Sequence, residues 1–215
     1  MYIPDHYRVQ ALGEMHALMR ARPFAAFVSA GPSGLMATHL PTVLKDEGPH
    51  GVIEFHLARA NPHWKELNGE AMMIFQGAEG YITPAWYPSK AVHGKVVPTW
   101  NYAVVHAYGR PVPQQDPVWL RRHVGELSDQ QEQGAPEPWA VSDAPDRYVE
   151  VMLRGIVGFR FEITRLEGKA KMSQNREDAD RVGVVQGLVA RGRADDLEMS
   201  AMVESKRGVG KHSGS

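Results

Sequence analysis

Apolar residues recur at two distinct periods along the chain, and each period predicts a kind of element. Over residues 7–20, Tyr7, Ala11, Leu12, Met15, Leu18 and Met19 stand three and four apart, which predicts an amphipathic helix that Pro23 stops. Short β-like runs follow. FAAFVSA at 24–30 and LMATHL at 35–40 flank Gly31-Pro32-Ser33-Gly34, a turn signal, so the pair reads as a hairpin. VIEFHLA at 52–58 alternates, with Ile53, Phe55 and Leu57 on one face and Glu54, His56 and Ala58 on the other. AMMIFQ at 71–76, YIT at 81–83 and TWNYAVVHAY at 99–108 supply further strands, and IVGFRFEIT at 156–164 a last one. Two helices precede that last strand. One covers 116–131, opened by Asp116-Pro117, with Leu120, Val124 and Leu127 on one face. The other covers 143–153, with Tyr148, Val151 and Met152 expected inward. A third helical pattern covers 175–190 through Ala179, Val182, Val185 and Val189.

Many short strands separated by turns every eight to twelve residues predict a mainly β barrel or sandwich with flanking helices. No β–α alternation repeats, so a doubly wound parallel sheet is not expected. The expected organisation is a barrel domain over 1–166, a helical extension over 167–207 and a disordered tail over 208–215.

Composition narrows the function classes. The 215 residues include 24 Lys+Arg and 25 Asp+Glu, a formal charge of -1, unlike the strong basic excess of a general nucleic-acid binder. There is no cysteine, which excludes a disulfide scaffold, thiol catalysis and cysteine-ligated metal. No apolar run approaches a membrane span, and the polar, aromatic start is not expected to be a signal peptide. These features fit a cytoplasmic protein. The ten histidines form neither HExxH nor HxH, so no metal site is expected. A GVGKH string in the tail lacks the first glycine and the Ser/Thr of a phosphate loop.

Four stretches combine groups that packing alone does not require: THLP at 38–41, HLARANPHW at 56–64, YITPAWYPSK at 81–90 with VPTWNY at 97–102, and KMSQNR at 171–176. Half of the 18 aromatic residues lie between Trp64 and Trp119. Planar side chains among Ser, Thr, Asn, Arg and Lys suit a flat, hydrogen-bonding ligand with an anionic end. Arg59, at a strand end, has the fork geometry for a phosphate. Each stretch alone also fits plain packing, and Arg59 equally fits a strand that ends at Ala58 and lets the side chain reach water.

These blocks, with MYIPDHY at the start and VH at 105–106, resemble the PaiB-type FMN-binding negative transcriptional regulators, in the family's order and over residues 1 to about 190. Tyr7, Thr83 and Met172 depart conservatively, where Phe, Ser and Leu are common. The resemblance implies a six-stranded antiparallel Greek-key split barrel, a homodimer and FMN bound near the subunit interface. It implies flavin contacts from Thr38, His39, Leu40 and Pro41, and from His56, Leu57, Ala58, Arg59 and Asn61. Trp100, Asn101, Lys171, Ser173, Gln174 and Arg176 are further candidates, on the reading that they reach the partner subunit's flavin. No catalytic residue is assigned. The implied output is repression, without direct DNA binding, since the 175–190 helix mixes Arg176 and Arg181 with Glu177, Asp178 and Asp180. The alternative is an FMN-dependent oxidoreductase of the pyridoxamine-phosphate oxidase-like group.

Overall fold

The computed structural model describes residues 1–206; the expected 208–215 tail lies outside the described residues. The chain forms two compact units. One comprises residues 11–75 and 105–166, the other residues 1–10, 76–104 and 167 onward.

Among the described residues eight strands run antiparallel: β1 (Arg8–Val9), β2 (Phe24–Gly31), β3 (Gly34–Pro41), β4 (Val43–Lys45), β5 (Val52–Ala58), β6 (Ala71–Ile82), β7 (Thr99–Gln114) and β8 (Ile156–Lys171). Six are long, as the expected split barrel requires; the count of six is corrected by β1 and β4, two and three residues long and too short to carry a period. The order is β3-β2-β6-β7-β8-β5-β4, with β1 paired to β8.

In the first unit the hairpin forms as read. β2 and β3 pair from Phe24↔Pro41 to Gly31↔Gly34, and Gly34 takes φ 102, a value side-chain-bearing residues avoid. β5 pairs with β8 from Val52↔Glu162 to Ala58↔Ile156. β3 also lies against β5, so this sheet curls on itself. Its inner face is a stack of phenylalanines: Phe27 to Phe55 at 5.0 Å and Phe55 to Phe159 at 5.1 Å between ring centroids, all essentially unexposed. Each such side chain contributes about 2–3 kcal/mol by leaving water.

Helix α1 (Leu12–Ala21) buries Met15, His16 and Met19. It starts five residues later than its apolar spacing suggests, because Arg8 and Val9 pair with Lys169 and Gly168 of β8 instead. The inserted helices are α3 (Pro117–Glu132) and α4 (Asp146–Arg154), after the five-residue α2 (Ser89–His93). Asp116 caps α3 by accepting from the N–H groups of Val118 and Trp119 at 3.2 and 3.3 Å. The inward face of α4 is corrected. Val149 and Leu153 pack with Leu120 of α3, while Tyr148, Val151 and Met152 stay about half exposed. One helical face can meet α3, and the i, i+4 pair Val149/Leu153 takes it.

The second unit holds the ends of β6 and β8, the start of β7, and the helices α5 (Asp178–Arg191) and α6 (Asp196–Ser205), which pack together. The buried face of α5 is Asp180, Arg181, Val184 and Leu188, one position away from the expected Ala179, Val182, Val185 and Val189. Gly183 and Gly187 set that rotation. A Cβ on either would collide with Trp86, so the glycine stripe fixes which side of the helix meets the turn Pro84–Trp86. Arg191 grips the buried Asp196 with two bonds, Nε–Oδ2 at 2.8 Å and Nη2–Oδ1 at 2.5 Å, and joins α5 to α6.

Candidate functional site

The nine candidates in the barrel unit fall into three places. Thr38 and Asn61 meet at the end of β3. Thr38 Oγ1 lies 2.8 Å from His63 Nδ1 and accepts from Asn61 Nδ2 at 3.2 Å; His63 Nε2 lies 2.8 Å from Ser29 Oγ. Asn61 also accepts from the His63 N–H, at 3.0 Å, which caps the turn Pro62–Lys65. His63 is fully buried and stacks on Phe27, and burial pushes its pKa down, so it holds the two hydroxyls as a neutral ring. Sequence reading missed Ser29 and His63; the available signal was the histidine two residues after Asn61, inside HLARANPHW.

His39 and Pro41 share this strand. His39 is exposed, with its ring 6.3 Å from Phe24, whereas Leu40 is buried. Among the described residues β3 ends the strand order and pairs only with β2, so the backbone of its other edge is open to hydrogen bonding even though part of the strand lies near β5. Leu40 and Leu57 are core side chains, so what they offer a ligand is their main chain.

The second place is Arg59. β5 ends at Ala58, and the Arg59 side chain turns onto the start of β8. Its Nε donates to the Arg154 carbonyl at 2.9 Å, Nη1 to Gln115 Oε1 at 3.0 Å and Nη2 to the Ile156 carbonyl at 2.9 Å. Two of the five guanidinium N–H groups remain uncommitted. Arg59 lines a cavity of about 790 Å³ along α3 and α4, with Arg121, Arg122 and Arg154 also on its wall. Arg122 is already committed. It holds the buried Glu54 through two bonds of 3.0 Å, and these raise its pKa.

The third place is His56. Its Nδ1 lies 3.1 Å from Nε2 of His123 on α3, a residue sequence reading passed over. His123 is fully buried and stacks on Trp119 at 5.1 Å. Burial drives His123 down to about 3 and lowers His56 as well, so both rings are neutral at pH 7. The signal was present: Trp119 and His123 are i, i+4 on α3.

The six candidates of the other unit cluster more tightly. Asn101 Nδ2 donates to Ser173 Oγ at 2.9 Å, both buried, and Ser173 adopts φ 58, rare for a residue with a side chain. Gln174 folds back, accepting from the Met172 N–H and donating to the Ala170 carbonyl, each at 2.6 Å. Lys171 reaches Thr99 Oγ1, and Arg176 lies 4.7 Å above the Tyr87 ring. Burial lowers the Lys171 ammonium below its ordinary value. Trp100 is half exposed, edge-on to Tyr81 at 6.0 Å. Among the described residues no group of three or more His, Asp or Glu is placed to hold a metal ion, and no helix is long and apolar enough to cross a membrane.

An antiparallel sheet of split-barrel type with an unpaired edge strand, matched by an FMN-binding family model, makes this a flavin-binding split-barrel protein. The chain belongs to the family described as "Putative FMN-binding domain", whose model matches residues 1–165, and it is a PaiB-like FMN-binding protein. The protease synthase and sporulation protein PAI 2 of Bacillus subtilis is 28% identical over 208 residues, covering 96% of this chain and 98% of its own length. An uncharacterised protein of Emericella nidulans is 33% identical over 226 residues, covering 87% of this chain and 90% of its own. Among solved structures, the FAD and heme binding protein from Mycobacterium smegmatis matches with a TM-score of 0.58 at 14% identity, over 88% of this chain and 82% of that one. The conserved hypothetical protein Rv2991 from Mycobacterium tuberculosis matches with a TM-score of 0.58 at 13% identity, over 82% and 94%. At these identities the structures share the fold.

The donor set fits FMN. The open β3 edge offers main-chain N–H and C=O groups to a flat heterocycle, and Thr38, Asn61 and the two spare N–H groups of Arg59 suit hydroxyl and phosphate oxygens. When bound, FMN supplies one- and two-electron redox chemistry; the chain's own residues bind and orient.

Proposed function

We propose that this protein is a cytoplasmic FMN-binding homodimer that lowers transcription without gripping DNA itself. The observation that carries this reading is the open edge of β3, where Thr38–Pro41 lie beside the Thr38–His63–Asn61 cluster. The β2–β3 hairpin also exposes Phe24 and Leu35, apolar surface that a second copy would cover. FMN bound there stands at a subunit interface, with Arg59 on the phosphate and Trp100, Asn101 and the 171–176 loop available to the partner's flavin.

The reading that DNA is not bound directly is supported by α5. Arg181 and Asp180 are both buried, and Arg176 lies over Tyr87, so the cations the sequence offered to phosphates face into the fold. FMN titration followed by absorbance, with light scattering at micromolar protein, tests the first half: a yellow dimer is expected, and a monomer with FMN bound refutes it. A mobility-shift series at physiological salt, run beside transcript profiles of a host with and without the protein, tests the second half. Changed transcripts without nanomolar operator binding are expected.

A further inference from the structure

We propose that the barrel unit carries a second small-molecule site, a pocket at His56 between α3 and α4 that takes an uncharged aromatic compound bearing a carbonyl-type oxygen. The pocket has a volume of about 250 Å³ and an almost wholly apolar wall, to which Val124, Val141 and Leu153 contribute. An apolar cavity of roughly 150 Å³ takes benzene, so this one suits a substituted ring or two fused rings. It is too small for a flavin with its ribityl phosphate. Trp139, Tyr148 and Met152 also line it, and each is about half exposed. Three large side chains left half in water around one concavity are what a flat apolar occupant would cover.

The polarity of the wall follows from the histidine pair. Only one proton fits between His56 Nδ1 and His123 Nε2 at 3.1 Å. The other nitrogen of His123, Nδ1, is buried without a partner. An orphaned N–H is rarer and costlier than an orphaned acceptor, so His123 keeps its proton on Nε2 and donates it to His56 Nδ1. His56 is then protonated on Nε2, which makes no hydrogen bond and is not sealed off as the His123 nitrogen is. Of the hydroxyls on the wall, Ser128 spends its proton on the Val124 carbonyl, at 2.9 Å. His56 lines this pocket, and its free Nε2–H is, with the half-exposed Tyr148 hydroxyl, a donor left on an otherwise apolar wall, so an acceptor oxygen on a ring answers it. A carboxylate would enter without a counter-charge, since both rings are held neutral by burial.

The test uses three probes of similar shape on the full chain loaded with FMN: acetophenone, ethylbenzene and benzoate, each titrated by calorimetry and by ligand-observed NMR. Acetophenone is expected to bind about tenfold more tightly than ethylbenzene, the value of one hydrogen bond, and benzoate not to bind. Met152→Trp, which fills the mouth from a half-exposed position, is expected to abolish acetophenone binding while FMN affinity stays unchanged. Equal binding of acetophenone and ethylbenzene, binding that survives Met152→Trp, displacement of acetophenone by excess FMN, or no binding at millimolar probe would each overturn the proposal.

Discussion

Acidifying the protein tests the buried histidine pair quantitatively. His123 falls from the ordinary 6.5 to about 3 in the fold, because burial and then the neighbouring His56 and Arg122 disfavour its charged form. Its folded pKa is depressed, so its contribution is complete above pH 6.5 and is lost as pH falls from 6.5 toward 3, where the unfolded chain takes a proton and the native ring does not. A tenfold change in the protonation equilibrium corresponds to about 1.36 kcal/mol. On acidification from pH 7.5 to 5, the unfolded ring titrates over roughly the last 1.5 pH units while the native ring stays neutral, so this one residue should remove about 2 kcal/mol of stability. The control is His123→Gln, whose amide can still donate to His56 Nδ1 but does not titrate. Urea denaturation of both forms without FMN, followed by tryptophan fluorescence at several pH values, gives the comparison. Wild type should lose about 2 kcal/mol more than the variant over that interval. Parallel curves, within about 0.5 kcal/mol, would show that His123 is not held neutral by the fold, and the tautomer assignment would fall with it.

Arg59→Ala should weaken FMN by about 2–4 kcal/mol and leave riboflavin, which has no phosphate, nearly indifferent; an equal loss for both would mean that Arg59 only braces β5 against β8. Gly183→Ala would ordinarily gain about 1 kcal/mol in a helix. Here the added methyl meets the Trp86 main chain, so a net loss on the order of 1–3 kcal/mol is expected, and a raised midpoint in thermal denaturation would contradict the packing. Asp196→Ala leaves Arg191 without its two-bond partner and should cost about 3 kcal/mol by urea denaturation. The hydrogen bond from Arg191 holds Asp196 below its ordinary value, so wild type should lose this contribution only under acid conditions, below pH 3.8.

What could be read from the sequence was what local chemistry encodes. The GPSG turn and the alternation of VIEFHLA gave the β2–β3 hairpin and β5, and Asp116-Pro117 marked the start of α3 to the residue. The lengths of β6, β7 and β8 were not legible. Their periodicity fades where Gly77, Gly109 and Arg165 interrupt the apolar alternation, while pairing with neighbouring strands carries the backbone on. The inward face of α4 was misjudged because Tyr148 and Met152 are larger than Val149, and size says nothing about direction. In the site, Thr38 and Asn61 could be named from the family blocks, but His63 meets Thr38 across 25 residues and Ser29 across 34. His123 meets His56 across 67 residues, and no pattern along the chain announces such a meeting.

Gly158 stands directly opposite His56 on β8, and a Cβ there would run into the rings and methyls of Trp119 and Leu120. The missing side chain is what lets α3 lie flat on the sheet. Helix α3 in turn presses His123 out of reach of solvent, so the acid–base behaviour of two imidazoles depends on a residue that has neither charge nor polarity. A single methyl group at that position would act as a wedge, lifting the helix, admitting water and returning the histidines toward their solution chemistry. The protonation state of this face is thus governed by clearance between backbone and indole, a steric setting that the titratable residues alone would never reveal.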